Sequence, residues 1–213
     1  MSKTQMIRRR GLSAFLAVAM CFGLLPATAW AAEEGVAINE SNFPNKTFRN
    51  YIQKVFDKDN NDFFSADEIA AVTELTFQYP DDPNTGVAGI TSLKGIEYFT
   101  ALTSLDCSYQ DLTELDLSRN TGLTSVLCYG NQLTELDLSA NIQLIELDCS
   151  SNEITHLDVS SNHNLEKLSC YHNRLTSLDL SRNNKLTYTY CDSWCPIEPD
   201  ENNTINLAEL DVD

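Results

Sequence analysis

The fold of this chain is decided by residues 144–164, which read LIELDCSSNEITHLDVSSNHN. This pattern returns every 21 residues along the middle of the chain. The recurring positions are Leu102, Leu123, Leu144, Leu165 and Leu186; Cys107, Cys128, Cys149, Cys170 and Cys191; Asn120, Asn141, Asn162 and Asn183; and Asn131, Asn152 and Asn173. Internal repeats of this length indicate a solenoid, in which each turn contacts only its neighbours.

Each repeat divides into two similar halves of ten and eleven residues. In both halves apolar and polar residues alternate with the period of a β-strand, and an Asn follows whose side chain can bond the backbone at the next turn. A single repeat cannot bury its apolar face, whereas repeats stacked about 4.8 Å apart as parallel strands can. We therefore predict a solenoid of parallel β rungs.

The consensus L-x-x-L-x-C-x-x-N-x-L-x-x-L-D-L-x-x-N-x-x resembles the 21-residue leucine-rich repeats of bacterial surface proteins, of the internalin J type. The resemblance covers residues 102–191 closely, and it implies a leucine-rich-repeat solenoid with a stacked cysteine ladder. It also implies a surface protein that engages proteins or glycans outside the cell. The motif specifies the fold far better than the ligand.

The regular repeats are predicted over residues 102–195, with atypical turns at both ends. Residues 72–101 form a first irregular repeat, in which 72–77 provide a first rung and 79–86 a turn-rich loop. Residues 196–213 form a C-terminal cap or the start of a following segment. Residues 32–71 form a small helical cap before the repeats.

Residues 1–31 have the pattern of a secretory signal peptide. Lys3 and the arginines at 8–10 form a basic start, an apolar stretch follows from Leu12 to Leu25, and Ala29 and Ala31 provide the small residues at positions −3 and −1 of a cleavage site. The apolar stretch is shorter than the ~20 residues of a membrane span. An uncleaved anchor is the alternative. We expect a secreted or cell-surface protein with no membrane span in the mature chain.

The charge balance excludes one class of partner. The chain has 14 basic and 31 acidic residues, a net charge of −17, and 42% of its residues are hydrophobic. Such a surface repels the phosphate backbone, so we expect no nucleic-acid binding. An acidic surface of this kind favours cations, basic proteins or neutral glycans as partners.

The cysteines are predicted to be part of the core. Outside the signal peptide there are six, which in an exported protein suggests disulfides. Five of them, however, occupy one position of the repeat, and stacked rungs hold Cβ atoms farther apart than the ~3.8 Å of a disulfide. A single row of thiols also cannot surround a tetrahedral metal. We expect free thiols at 107, 128, 149 and 170, and we leave a bridge between Cys191 and Cys195 open.

A calcium-binding loop of the EF-hand type is predicted at residues 57–68. Its oxygen ligands fall at the expected spacing, and the apolar positions of residues 48–56 predict the incoming helix. The ligands are Asp57, Asp59, Asn61, the carbonyl of Phe63, Ser65 and Glu68. Asp62 stands where such loops normally have Gly. The alternative is an acidic turn in which Ser65 and Glu68 form a capping box that starts the next helix, and both can hold at once. The resemblance to internalins weakens the case for the metal, because their helical caps are EF-hand-like without it, but here the ligand types are present.

Aromatic side chains are expected on the outer face of the first-half strands. Exposed tyrosines offer contact area at low entropic cost and stack on sugar rings. The predicted partner-binding residues are Tyr109, Leu127, Tyr129, Tyr171, His172, Tyr188 and Tyr190. Scattered surface aromatics without a role are the alternative.

A column of aspartates marks the second half of each repeat, at residues 116, 137, 158 and 179. Because stacked carboxylates repel, each one is expected to bond the serine two residues later or a backbone amide; cation binding along the column is the alternative. No arrangement of nucleophile and base follows from the repeat, so we expect no catalysis. The predicted function is an exported binding module, and the alternative is a spacer segment of a larger surface protein.

Overall fold

The computed structural model describes residues 35–77, 89–192, 195–196 and 204–206. The predicted signal peptide at 1–31, the loop at 79–86 and most of residues 196–213 lie outside the described residues. Within the described ranges no helix has the length and apolar character needed to cross a membrane.

A small cap precedes the repeats. In chain order it consists of β1 (Val36–Ala37), α1 (Lys46–Phe56), β2 (Phe63–Phe64) and α2 (Ala66–Ala70). β1 pairs antiparallel with β2. Phe43 joins this cap to the repeats, because its ring lies 5.6–6.2 Å, centroid to centroid, from the rings of Phe48, Phe64, Tyr98 and Phe99.

The repeats form the predicted leucine-rich-repeat solenoid of parallel rungs. Its strands are β3 (Glu74–Thr76), β4 (Ser104–Asp106), β5 (Ser125–Leu127), β6 (Glu146–Asp148), β7 (Lys167–Ser169), β8 (Ser177–Asp179) and β9 (Tyr188–Asp192), with a 3₁₀ helix at Ile96–Tyr98 before β4. All except β8 stack in one parallel sheet. From β4 onward residues 21 positions apart pair with each other, so the sequence period sets the strand register.

The C-terminal edge of the solenoid is closed by antiparallel strands. β10 (Cys195–Pro196) pairs with β9, and β11 (Thr204–Asn206) pairs with β8.

The prediction of a second strand in every repeat is wrong for the first three. Within the described residues, a second-half strand forms only at β8. The local bonds of the second half are the same in all four repeats, since the serine amide donates to the aspartate side chain and the Asn amide to the carbonyl three residues earlier in each of them. β8 differs because β11 pairs with it.

Columns of identical residues build the core. The leucines and cysteines of the repeat are fully or almost fully buried except Leu175 and Leu186, which are partly buried, and two asparagine columns bond the backbone between turns. Asn141 Nδ2 donates to the carbonyls of Leu117 and Asn120, at 3.2 and 3.0 Å. Asn152 Nδ2 donates to the carbonyls of Cys128 and Cys149, both at 3.0 Å. The predicted role of Asn at the turns is confirmed.

The cysteine column is buried and free of disulfides, as predicted. The thiols of Cys107, Cys128, Cys149, Cys170 and Cys191 are all unbridged. The bridge left open between Cys191 and Cys195 is therefore absent. Burial raises the pKa values of Cys107, Cys128 and Cys149 above the ordinary thiol value, and for Cys170 a hydrogen bond with Cys191 raises the pKa first, followed by burial. Thiols held protonated are poor nucleophiles.

Candidate functional site

The side chains predicted to bind a partner lie on the outer face of β4–β9 and in the turns that follow these strands. Leu127, Tyr188 and Tyr190 belong to strands, and Tyr109, Tyr129, Tyr171 and His172 belong to the turns. The central residue of each strand from β4 to β7 points into the core, and its neighbours are more exposed in most rungs. We call this surface the sheet face. Parallel stacking brings side chains of adjacent repeats together on it, because equivalent residues lie one rung apart.

The predicted aromatic residues meet in three pairs on this surface. Ring centroids are 4.8 Å apart for Tyr109 and Tyr129, 5.2 Å for Tyr171 and His172, and 4.3 Å for Tyr188 and Tyr190. Tyr109 and Tyr188 are exposed, at 61% and 49% of their surfaces. Sequence columns predicted a shared face, whereas the pairing itself is a finding of the structure.

An unusual backbone places the exposed members of two of these pairs. Tyr109, Ser151 and His172 occupy the same repeat position and all have positive φ, at 54°, 53° and 52°. Gly130 holds this position in the second repeat, with φ 68°. A Cβ at Gly130 would lie 2.7 Å from the Tyr109 ring, so the glycine provides the space in which that ring rests.

Leu127 belongs to a separate depression on the sheet face. This depression has a volume of about 300 Å³ and is lined by Leu127, Asp148, Tyr188 and the ion pair of Lys167 with Glu146. The sequence placed these residues on one outer face but did not indicate that Asp148, Glu146 and Lys167 share a depression with Tyr188. Side-chain size and direction decide this, and neither can be read from the repeat period.

The carboxylates of the sheet face influence the tyrosines beside them. Partial burial raises the pKa of Tyr129, and the charges of Asp106 and Asp148 raise it further. For Tyr188 the hydrogen bond with Tyr190 raises the pKa most, and Asp148 adds to the effect. These carboxylates therefore lie close enough to the tyrosines to raise the pKa of their hydroxyls.

The second-half side carries a shallow groove of about 1170 Å³ that the sequence did not indicate. Acidic side chains of three repeats line it, among them Glu114, Glu135 and the first three members of the aspartate column, Asp116, Asp137 and Asp158. The prediction for these aspartates is confirmed: each Asp Oδ1 accepts the amide of the serine two residues later, at 2.8–2.9 Å. The same serines lower the pKa of each aspartate.

The loop at 57–68 brings three of its predicted ligands together. One carboxylate oxygen each from Asp57, Asp59 and Glu68 lie within 4.8 Å of one another. Asp57 is buried, and its two oxygens accept the amides of Asn61 and Asp62, both at 3.1 Å. These bonds turn the chain so that the acidic side chains converge.

The remaining predicted ligands lie in the same loop, but they bond to their neighbours. Asn61 Nδ2 donates to Asp59 at 2.7 Å, and Ser65 Oγ bonds Glu68 at 2.9 Å. Ser65 and Glu68 form the predicted capping box of α2, and these bonds lower the pKa of Glu68. Phe63 lies in β2, where it pairs with Ala37.

Asp62 adopts the conformation that glycine usually supplies in such loops. Its φ is 62°, in the left-handed region that Asp tolerates better than most residues. The substitution of Gly by Asp therefore does not prevent the loop from closing.

Comparisons with known proteins agree with this fold. No protein-family model matches the chain. Over 79 residues, 37% of this chain and 8% of the relative, it is 39% identical to internalin J of Listeria monocytogenes serotype 4b. The domain of internalin J from the same species, which includes a cysteine ladder, matches with 27% identity and a TM-score of 0.58 over 78% of this chain and 40% of that one.

A second solved structure is similar to this chain to about the same degree. An internalin of L. monocytogenes, InlF, matches with 25% identity and a TM-score of 0.61, covering 74% of this chain and 46% of that one. The chain thus spans less than half the length of these solved relatives. The chain is thus homologous to internalin J over the 79 matched residues, and its leucine-rich-repeat solenoid with a buried cysteine row has the fold of these internalin domains.

Proposed function

We propose that the protein is an exported, non-catalytic binding module that holds a protein partner on its sheet face at the cell exterior. The observation that carries this proposal is the grouping of six aromatic side chains into three contacting pairs on one rigid face. Tyrosine is enriched at binding hot spots because it combines large contact area with few rotatable bonds. The basic and apolar start of the sequence supports export.

The placement of the cysteine and histidine side chains supports a role without catalysis. The five stacked cysteines, from Cys107 to Cys191, are buried, and all three histidines are exposed on separate parts of the repeats. Glycan binding and a spacer role without a ligand are the alternatives, and the test below separates them.

Replacing exposed tyrosines with residues that the repeat already uses should remove binding without unfolding the protein. Ser104 and Ser125 occupy the column of Tyr188, and Ser151 that of Tyr109. We expect Tyr188→Ser and Tyr109→Ser each to weaken a partner found on an array of extracellular proteins and glycans by about tenfold, a typical hot-spot cost. The change is measured by surface plasmon resonance.

The control is Ile142→Thr, which alters an exposed apolar side chain where Thr121 stands one repeat earlier. It should leave binding unchanged. Glycan hits without protein hits would favour the first alternative, and an array without any hit would favour the spacer.

We also propose that the loop at 57–68 binds calcium. Three converging carboxylates supply the oxygen ligands that this cation prefers, and the ligand spacing is that of an EF-hand. The strand β2 pairs with β1, so the loop is supported by an antiparallel strand within the cap itself.

Calcium should raise the melting temperature of the protein, and chelation should reverse the effect. A ligand present at 100 times its Kd stabilises by about 2.7 kcal/mol, which differential scanning calorimetry resolves. Glu68→Gln should abolish the response, whereas Asp67→Asn, on the neighbouring carboxylate, should retain it. Identical melting with calcium and with chelator, together with no heat of binding in titration calorimetry, would contradict the site.

A further inference from the structure

The depression on the sheet face has the size to hold a single side chain of a partner. Its volume of about 300 Å³ lies at the lower end of the roughly 300–1,000 Å³ of cavities that hold small molecules. Ser169 is the smallest residue that lines it, and the strand register places Ser169 directly beside Asp148. A hydroxyl and a carboxylate are therefore neighbours in the depression.

Apolar surface is present at both ends of the depression. Leu127 lies one rung before Asp148, and Tyr188 lies on the strand that follows Ser169. Leu127 is half-buried and Tyr188 is exposed, so both side chains offer surface to a partner. Such surface favours a long side chain that carries methylene groups up to a charged head, as lysine and arginine do.

The charges that line the depression favour a cation. Lys167 Nζ lies 3.4 Å from Glu146 Oε1, so these two charges offset each other. Asp148 belongs to neither of the two ion pairs found within the described residues. Its Oδ1 accepts the Ser150 amide at 3.0 Å and also the Ser150 hydroxyl, whereas its Oδ2 accepts no hydrogen bond from the described part of the chain. The depression thus contains one uncompensated negative charge with one open oxygen.

The single open oxygen distinguishes lysine from arginine. A guanidinium bonds a carboxylate best as a planar fork that uses both oxygens, whereas the ammonium of lysine is a compact charge that can bond one oxygen. Because Ser150 already bonds Asp148 Oδ1, the open Oδ2 favours the ammonium. The neighbouring Ser169 hydroxyl can accept another of its three donors.

We propose that the depression on the sheet face receives a lysine side chain of the protein partner, with its ammonium at Asp148 Oδ2 and its methylene chain along Leu127 and Tyr188. This inference rests on the proposed function and specifies the partner as a protein that presents an exposed lysine. The net charge of −17 attracts a basic partner surface in the same sense. Arginine and an uncharged side chain are the competing occupants, and the test below compares them with lysine.

The inference is tested on the isolated protein with defined peptides. Leucine methyl groups are labelled with ¹³C, and the NMR signal of Leu127, assigned through Leu127→Ser, is followed during titration with acetyl-Gly-Lys-Gly-amide. This signal should shift saturably. A peptide with norleucine, which keeps the carbon chain without the ammonium, should bind at least about tenfold more weakly, because it forms no charge-assisted hydrogen bond. A peptide with arginine should bind about threefold more weakly than the lysine peptide.

Two variants separate the charge of the depression from its shape. Asp148→Asn removes the negative charge but keeps Oδ1 as an acceptor, and Ser169→Tyr fills the space with the side chain that the same column has at Tyr190. Both should weaken binding of the lysine peptide at least about tenfold, while far-UV circular dichroism and melting show a folded protein. Asp137→Asn is the matched control, since Asp137 accepts the Ser139 amide in the same way on the second-half side; it should leave the lysine response unchanged.

Several outcomes would overturn the inference. These are the absence of a saturable shift, an equal response to norleucine, equal or tighter binding of the arginine peptide, and a lysine response that survives Asp148→Asn. The proposed function fails separately, when the array yields no protein partner. A partner whose binding depends on Tyr109 but is unchanged by Asp148→Asn would preserve the proposed function and reject the lysine.

Discussion

Raising the pH above 9 should destabilise this protein steeply through its cysteine column. The folded-state pKa values of Cys107, Cys128, Cys149 and Cys170 lie above the ordinary value of 9.0. Above that pH the unfolded chain releases thiol protons that the folded chain keeps, so the unfolded state is favoured as the pH rises. The stabilisation is fully present below pH 9 and is lost progressively above it.

We expect a large fall in the free energy of unfolding, because each of four successive turns contributes one buried thiol. Each thiol that ionises only on unfolding lowers the free energy of unfolding by up to about 1.4 kcal/mol per pH unit. Four such thiols give a limiting slope of about 5 kcal/mol per pH unit. The free energy of unfolding is measured by urea titration between pH 7.5 and 10.5 with a reducing agent present.

The double variant Cys128→Ala with Cys149→Ala isolates the contribution of the thiols. Tyrosine ionisation affects both proteins equally, so the variant should lose about half of the thiol-dependent slope, while its stability at pH 7.5 drops only by the cost of two small cavities. Equal slopes for the two proteins would show that the thiols do not contribute.

A thiol reagent at pH 8 should react with the native cysteines only after urea is added.

The substitution Asn141→Asp should cost about 3–5 kcal/mol of stability at pH 7, because it leaves a buried charge without a partner. The Asn141 amide is fully buried and donates to the carbonyls of Leu117 and Asn120. An ionised aspartate would present a negative oxygen to these two carbonyls and leave both without their donor. The loss should be visible in urea or thermal unfolding.

Acid should partly reverse this loss. Burial raises the pKa of a carboxyl at such a position, and the neutral acid form becomes populated as the pH falls. Asn184→Asp is the matched control, since Asn184 lies in the next-but-one repeat and is exposed; it should change stability by less than about 0.5 kcal/mol. Similar effects of the two substitutions would contradict a structural role for the asparagine column.

The repeat period predicted most features of the solenoid. Because equivalent residues must occupy equivalent places in stacked turns, the 21-residue spacing predicted the parallel register, the buried leucines and the unbridged cysteines. The same spacing predicted that aspartates would bond the serines two residues later. It did not reveal that the second halves of the first three repeats lack strands, since apolar alternation is compatible with either outcome and a strand forms where a partner strand is present, as β11 is for β8.

The sequence predicted which residues form the candidate sites, but it did not predict how their side chains are arranged. The spacing of Asp57, Asp59 and Glu68 indicated a calcium loop, and the structure brings these three oxygens within 4.8 Å of one another. The sequence placed the tyrosines on one face, but not in pairs. Ring contacts such as that of Tyr109 with Tyr129 depend on the left-handed backbone at Tyr109 and on the space at Gly130.

The sequence by itself therefore determined the stacking, the register and the contents of the core, since these follow from periodicity and from the need of each turn to bury its apolar face. Only the tertiary structure decided which surface side chains touch. Neighbours on the sheet face come from different turns, and their contacts depend on ring direction and backbone angle, which no linear spacing encodes. The contact of Tyr109 with Tyr129 is such a feature, because it joins the rings of two successive repeats.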